Sequence, residues 1–428
     1  MSLQERVRGI VQRSAASAIV GYERVRTGVT YNPFDKRLAS NPYPIYERLR
    51  SRDPIHRTWL MNGWLLTRYA DVLDALRDPR LSADERNTTG FEKFVARMRR
   101  DGLLDPGEEI EPSMLRSDAP DHTRLRKLVS KAFTPRSIQK LEPEIQEIVR
   151  EQLDQVASRG EMDVIRDLAT PLPVIVIAEM IGVPREDREQ FKHWSDIIAS
   201  TVGFTDSLAD RRKARQAGKQ LRAYFEATAE KRRRDPQDDL LSGLLAAEEE
   251  GDKLTSAEVF STLELLLIAG NETTTNLIGN GLLALLRNPD QLERLQSDPD
   301  LIDTALDELL RYDGPVQATS RIALEDFKIG SADVRKGQNV IVVLGAANRD
   351  PERFVDPDRL DLGRADNLHL GFGHGVHFCL GSNLARLEAK HALRGLVERL
   401  PQLKLATDDP PWKSNLILHG LKALPVRF

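Results

Sequence analysis

From Thr255 to about Leu286 the chain is so rich in apolar residues that the stretch suits a helix buried along much of its length. Thr255-Ser256-Ala257-Glu258 is a capping-box pattern, in which a threonine hydroxyl and a glutamate satisfy the free N–H groups of a helix start. Pro289 closes the run, since proline has no N–H with which to continue the ladder. At 1.5 Å per residue such a helix spans roughly 45 Å. It has to cross the middle of the molecule, and the rest of the fold must be laid around it.

Helical spacing also dominates Leu141 to Leu245. Strand signals are few. Ile55 to Thr67 reads as two short apolar runs around Asn62-Gly63, a preferred two-residue hairpin turn, and Val340 to Leu344 suits a buried strand. Val72, Leu73 and Leu76 suggest a helix ending before Pro79, whereas Asp84 to Glu111 is polar and reads as a loop or lid. The class is mainly α with a smaller β region supplied by both ends of the chain. At 428 residues with 40% hydrophobic residues a sizeable core is available, and a net charge of −4 speaks against nucleic acid as a partner. No run of ~20 apolar residues spans a membrane. Residues 1–30 carry Arg6, Arg8, Arg13, Arg24 and Arg26 among apolar residues and read as an N-terminal arm, helical and on the surface, ahead of one domain over residues 31–428. A cytoplasmic monomer is expected.

The long helix contains one costly turn, Ala269-Gly270-Asn271-Glu272-Thr273-Thr274. Glycine in mid-helix costs about 1 kcal/mol against alanine, and a carboxylate among apolar residues costs more unless it is paired or near water. Gly270 opens space beside the helix. Thr273 can turn its hydroxyl back to the Ala269 carbonyl and loosen the helix there. Glu272 can relay protons. The plain alternative is a helix crossing that uses small residues for close packing.

Cys379 is the only cysteine, so neither an internal disulfide nor a multi-cysteine zinc site is open to it. It lies in Phe372-Gly373-His374-Gly375-Val376-His377-Phe378-Cys379-Leu380-Gly381, and Leu380, Leu384, Leu387, Leu393 and Leu396 follow at helical spacing. The thiol therefore sits near a helix N-terminus, where free N–H groups favour a thiolate. Gly373, Gly375 and Gly381 permit turns that a Cβ would block and let a flat ligand approach. A placed anionic metal ligand and a buried structural cysteine are the two readings, and the glycines with His377 favour the ligand.

The spacing Phe-Gly-x-Gly-x-His-x-Cys-x-Gly resembles the haem-binding loop of the cytochrome P-450 family, and the likeness extends from about Asn32 to Phe428. It implies that family's single-domain fold, a triangular prism with a long central helix over haem. Cys379 is then the metal ligand, joined in cofactor binding by Phe372, Gly373 and Gly381. Ala269-Gly270-x-Glu272-Thr273 is similar to the family's oxygen-activating motif, which makes Glu272 the proton source and Thr273 the hydroxyl that steadies activated dioxygen, with Thr274 a weaker candidate and Asn271 a position that faces the pocket. Ala269 and Gly270 then lie against the cofactor. His122 and Arg126, four apart on one helix face, match residues that meet the haem propionates, as do Arg321 and His377. Glu308 and Arg311 resemble the family's Glu-x-x-Arg, which Arg359 would complete as a buried network holding the cysteine loop, although Leu360 stands where Phe is usual.

The activity implied is monooxygenation. Haem b (iron protoporphyrin IX) is the cofactor, O2 the co-substrate, and a lipophilic small molecule the substrate. Electrons come from a separate ferredoxin or flavodoxin with its reductase, docking on the cysteine side through Arg116, Arg124, Lys127 and Arg386. Pocket-lining segments are expected at Asp84–Glu111, Trp194–Phe204, Leu266–Thr273, Val316–Thr319 and Leu416–Leu418. A peroxide-using peroxygenase on the same scaffold and a non-enzymatic haem carrier or sensor are the alternatives.

Overall fold

In a computed structural model the long apolar stretch is one unbroken helix, Ser256–Arg287. The structure describes residues 18–428 other than 33–34, 111–112, 200, 202–206, 250–253 and 416. The capping box forms as expected: Thr255 Oγ1 accepts from the Glu258 N–H at 3.2 Å, and the Glu258 carboxylate accepts from the Thr255 N–H at 2.8 Å. Pro289 opens the next helix after the cap at Asn288. The costly turn at 269–274 does not interrupt the helix.

The helices run in chain order as α1 (18–27), α2 (Tyr43–Arg52), α3 (Tyr69–Arg77), α4 (Phe91–Arg100), α5 (Asp121–Ser130), α6 (Pro135–Gln139), α7 (Glu142–Val156) and α8 (Pro171–Ile181). They continue as α9 (Arg188–Ala199), α10 (Leu208–Arg234), α11 (Leu240–Glu249), α12 (Ser256–Arg287), α13 (Pro289–Ser297), α14 (Ile302–Asp313), α15 (Leu344–Ala347) and α16 (Ser382–Arg399). The protein is mainly helical, and α8, α9, α10, α14 and α16 all pack on α12. The main apolar core is built around it, from Leu263, Leu267, Ile278, Leu282 and Leu285 together with Leu172, Leu309, Leu393 and Leu396. Among the described residues, no helix is long and apolar enough to cross a membrane.

A sheet of five strands lies beside this bundle in the order β1-β2-β8-β5-β3, made by β1 (Ile55–Thr58), β2 (Gly63–Leu66), β3 (Leu81–Ser82), β5 (Thr319–Ala323) and β8 (Asn339–Val342). The hairpin forms, but its turn differs from the expectation. Thr58 pairs with Gly63, so the loop is the four residues Trp59–Asn62, with Asn62 at φ 47°. Gly63 opens β2, where a Cβ would strike the Asn339 carbonyl of the parallel neighbour β8. Two smaller sheets pair β4 (Glu161–Asp163), β10 (Pro425–Arg427) and β9 (Lys404–Leu405), and β6 (Phe327–Ile329) with β7 (Ala332–Val334).

Residues 1–17 of the expected N-terminal arm, with Arg6, Arg8 and Arg13, lie outside the described residues, and the rest of it holds α1. Its Glu23 is buried and accepts from the Trp59 N–H at 2.9 Å, so α1 is docked on the hairpin. The segment expected to be a loop at 84–111 holds α4, whose Phe91, Phe94, Val95 and Met98 follow helical spacing. The stretch after it is tied to α10 by charge. Arg215 lies 2.9 Å from Asp105 and 2.5 Å from Glu108, Lys219 lies 2.8 Å from Asp105, and Arg212 donates to the Asp101 carbonyl at 2.9 Å.

Candidate functional site

The cysteine loop runs from Phe372 to the start of α16. Gly373 and Gly375 adopt φ of 72° and 74°, a region that favours glycine, and a Cβ on Gly375 would come 2.8 Å from the Leu76 carbonyl at the end of α3. Gly381 differs from the expectation, since its φ of −85° is open to any residue. Its lack of a side chain leaves open space instead, with no atom within 4 Å of where a Cβ would stand. The Cys379 N–H donates to the Phe372 carbonyl at 3.0 Å, which closes the loop, and Arg126 on α5 donates to the Phe378 carbonyl at 2.7 Å. Burial pushes the Cys379 thiol up, against a Gly381 backbone hydrogen bond and the charges of Arg126 and Arg386, which pull it down. The polypeptide alone therefore favours the thiol, and a cation at sulfur is what would draw out the thiolate.

Four basic side chains converge beside this loop. The His122 and His377 rings lie 4.1 Å apart between centroids. Burial, then Arg321, His122 and Arg126, push the His377 imidazole down to about 3. Burial and the same two arginines lower His122, against Asp118. Asp118, the nearby carboxylate, is engaged by the Ser82 hydroxyl and by the Ala83 N–H at 2.9 Å. His122 Nε2 is buried and has no hydrogen-bond partner among the described residues. Two guanidiniums that strip the proton from neighbouring imidazoles mark a place where a counter-anion belongs.

On α12, Ala269 is exposed and Gly270 has no atom within 4 Å of its Cβ direction, although the helix is buried for most of the turns that follow. Thr273 Oγ1 donates to the Ala269 carbonyl at 2.7 Å, as its spacing predicts. Glu272 meets Lys413 Nζ at 2.7 Å, a partner that nothing in the local sequence signals. Asn271 does not face a pocket. It is buried and donates to Ser195 on α9 at 2.9 Å, because it shares a helix face with Thr275, which bonds the Ala169 carbonyl. Thr274 is buried as well and hydrogen-bonds the Glu388 carboxyl of α16, which burial pushes up to about 8 against that bond.

The polar network on α14 is present with one substitution of partner. Arg311 meets Glu308 through two hydrogen bonds of 2.7 and 2.8 Å, both residues being fully buried. Arg359 contributes only its backbone carbonyl, 3.2 Å from Arg311 Nη2, and its side chain is exposed. Arg364 takes the expected place, with Nε 3.0 Å from Glu308 Oε2, and Asn367 and the Asp361 N–H complete the set on Glu308. Of the basic residues expected to dock a partner, Arg116 pairs with Glu85, Arg124 with Glu258, and Arg386 with Asp307, which leaves the exposed Lys127 among the four without a recorded ion pair. Trp194 bonds Gln220 of α10 and so belongs to helix packing, while residues 111, 200, 202–204 and 416 of the expected lining lie outside the described residues. Val316 bridges Leu418, joining two of the other segments.

These residues fit a flat cofactor bound through one sulfur and carrying two acidic groups. There is a glycine-lined loop ending in a thiol, an open face at Ala269–Gly270, and two arginines beside two imidazoles, one of them with an orphaned nitrogen. The comparisons agree. The sequence profile of the cytochrome P-450 family matches residues 88–422. The chain is 44% identical to cytochrome P-450 107B1 of Saccharopolyspora erythraea over 402 residues, covering 92% of this chain and 96% of that one. It is 44% identical to the vitamin D(3) 25-hydroxylase of Pseudonocardia autotrophica, covering 92% and 95%. Among solved structures it superposes with a TM-score of 0.83 and 42% identity on P450BioI in complex with hexadec-9Z-enoic acid ligated acyl carrier protein, covering 92% of this chain and 100% of that chain. Matched over most of its length by profile, sequence and structure, the chain belongs to the cytochrome P-450 family and is, in general kind, a haem-dependent monooxygenase.

Proposed function

We propose that the protein binds haem b through Cys379 and inserts one atom of dioxygen into a C–H or C=C bond of a lipophilic small molecule, with electrons from a separate ferredoxin or flavodoxin and its reductase. The observation that carries this reading is the knot of His122, Arg126, Arg321 and His377 beside the cysteine loop, with His122 Nε2 lacking any partner among the described residues. They would hold two propionates. Phe372, Gly373 and Gly381 would meet the cofactor from the side of the thiol, and Ala269 and Gly270 from α12. When bound, the haem supplies the redox chemistry that activates dioxygen.

The chain's own residues do the rest. Thr273 holds its hydroxyl on α12 beside the open face, and Glu272, one residue earlier, carries a proton from the Lys413 side of the helix. Glu308, Arg311 and Arg364 hold the loop that precedes Cys379 and touch no reacting atom. Residues 31–428 form the haem-binding unit, with 1–30 as an arm. One relative is named for hydroxylating vitamin D(3), and another was solved with a fatty acyl group on its carrier protein. Both support an extended apolar substrate here. The electron donor docks on the cysteine side through Arg116, Arg124, Lys127 and Arg386, and the surface ion pairs of the three arginines are weak enough to exchange for a partner's carboxylates.

The deciding experiment is the spectrum of the reduced, CO-bound protein, which reports thiolate ligation. Cys379→Ser loses that signature, and a variant that kept it would refute the ligand assignment. Thr273→Ala keeps the signature and diverts electrons from product to hydrogen peroxide.

A further inference from the structure

Glu272 is held by a residue 141 positions further along the chain. Lys413 Nζ lies 2.7 Å from Glu272 Oε1 and 3.1 Å from Asn276 Oδ1, and Asn276 Nδ2 lies 3.4 Å from the same Glu272 oxygen. The three side chains close a triangle in which both hydrogen bonds that the Glu272 carboxylate accepts among the described residues end on one oxygen.

Lys413 is placed by a segment that has its own anchors. Its N–H donates to the Gly420 carbonyl at 2.9 Å, and Trp412 bridges Leu421. The Trp412 ring stacks on His419 at 4.3 Å. His419 lies 3.2 Å from the half-buried Asp313, and Asn280 of α12 donates to the His419 carbonyl at 3.1 Å. A Cβ on Gly420 would collide with the Asn276 amide, so glycine there is what lets the segment reach α12. The segment thus stays in place without the Lys413 ion pair, whose side chains are 25% and 17% exposed and which solvent screens in part.

We propose that Lys413, with Asn276, is a positioning residue for the proton-donating carboxyl: it fixes Glu272 Oε1 and so confines proton transfer to Oε2. This rests on the reading of Glu272 as the proton donor. Without the lysine the glutamate regains rotamer freedom, and protons no longer arrive by one directed route. In the absence of substrate the balance is open to measurement, because O2 takes two electrons and two protons to give H2O2, or four of each to give two waters. Both outcomes take one proton per electron, so protons that arrive by an undirected route, and not a shortage of them, show as peroxide.

The test uses the haem-loaded protein, NADPH and a surrogate ferredoxin with its reductase, with NADPH, O2 and peroxide followed together. Lys413→Met is expected to raise the peroxide-to-water ratio at least threefold while haem content and the CO signature stay unchanged, and Lys413→Arg is expected to restore most of the loss. Infrared spectroscopy gives a readout independent of turnover: the Glu272 carboxylate stretch, identified as the band missing in Glu272→Gln, shifts in Lys413→Met and returns in Lys413→Arg. Gly420→Ala, which crowds Asn276, moves both readouts in the same direction as Lys413→Met. If Glu272→Gln raises peroxide and Lys413→Met does not, this proposal falls and the reading of Glu272 stands. If Glu272→Gln leaves the ratio unchanged, the reading of Glu272 falls and takes the proposal with it. A Lys413→Arg variant that behaves like Lys413→Met also overturns the positioning role.

Discussion

Glu308 receives Arg311, Arg364, Asn367 and the Asp361 N–H, and is wholly buried. A carboxylate so placed is tolerated because every lone pair has a donor, and removing one donor leaves charge exposed to a medium that solvates it poorly. Arg364→Met should therefore lower the unfolding free energy by about 3–5 kcal/mol, the range for breaking a buried pair. Arg359→Met should stay within about 0.5 kcal/mol, as for a surface change. Urea titration of both variants checks this, and equal effects would contradict the assignment. The Glu-x-x-Arg spacing was legible because a helix brings i and i+3 together. The third arginine was not, because a loop has no period. The turn in which the Arg364 N–H bonds the Asp361 carbonyl at 3.1 Å decides which guanidinium reaches inward. Asn271 was misjudged for a related reason. Its neighbours Gly270 and Glu272 suggested an open side, whereas its face is fixed by the partner helix α9.

At the scale of elements, α12 could be read in full because its start and stop are local chemistry, a capping box and a proline. α4 was hidden although Phe91, Phe94, Val95 and Met98 have helical spacing, since Glu92, Lys93, Arg97, Arg99 and Arg100 dilute the pattern. Gly63 is needed for contact with a strand distant in sequence, which no window around the hairpin contains. The docking of α1 on that hairpin also could not be foreseen. His56 is buried there, with Nδ1 2.8 Å from Asp53 and Nε2 3.8 Å from Glu23 of α1. Burial alone would pull this imidazole down, but Asp53 and then Glu23 outweigh it, and its affinity for a proton is raised. A raised folded-state value stabilises fully below the unfolded value of about 6.5 and loses that contribution as pH rises through the folded value. The urea midpoint of the native protein should therefore fall on going from pH 6 upward by more than that of His56→Gln. Parallel curves for the two proteins would show that His56 has no such role.

Over the whole molecule, the basic knot means that the polypeptide is folded around a charge it does not itself supply. Loss of haem should lower the thermal midpoint, since a ligand at 1,000 times its dissociation constant stabilises by about 4 kcal/mol. Sulfate should raise the midpoint of the haem-free protein more than chloride at equal ionic strength, and that difference should shrink when Arg126 and Arg321 are both changed to leucine. Calorimetry of the four combinations decides the matter. A second consequence of charge placement lies on the opposite kind of contact, the strap of Asp101, Asp105 and Glu108 across Arg212, Arg215 and Lys219 of α10. The Asp105 and Glu108 carboxylates of this strap face water, and mobile ions compete with such pairs within a Debye length of about 3 Å at 1 M. Brine should therefore unfasten this one edge while leaving the apolar interior tighter, so that deuterium enters the amides of residues 101–108 faster as salt is added and those of α12 more slowly.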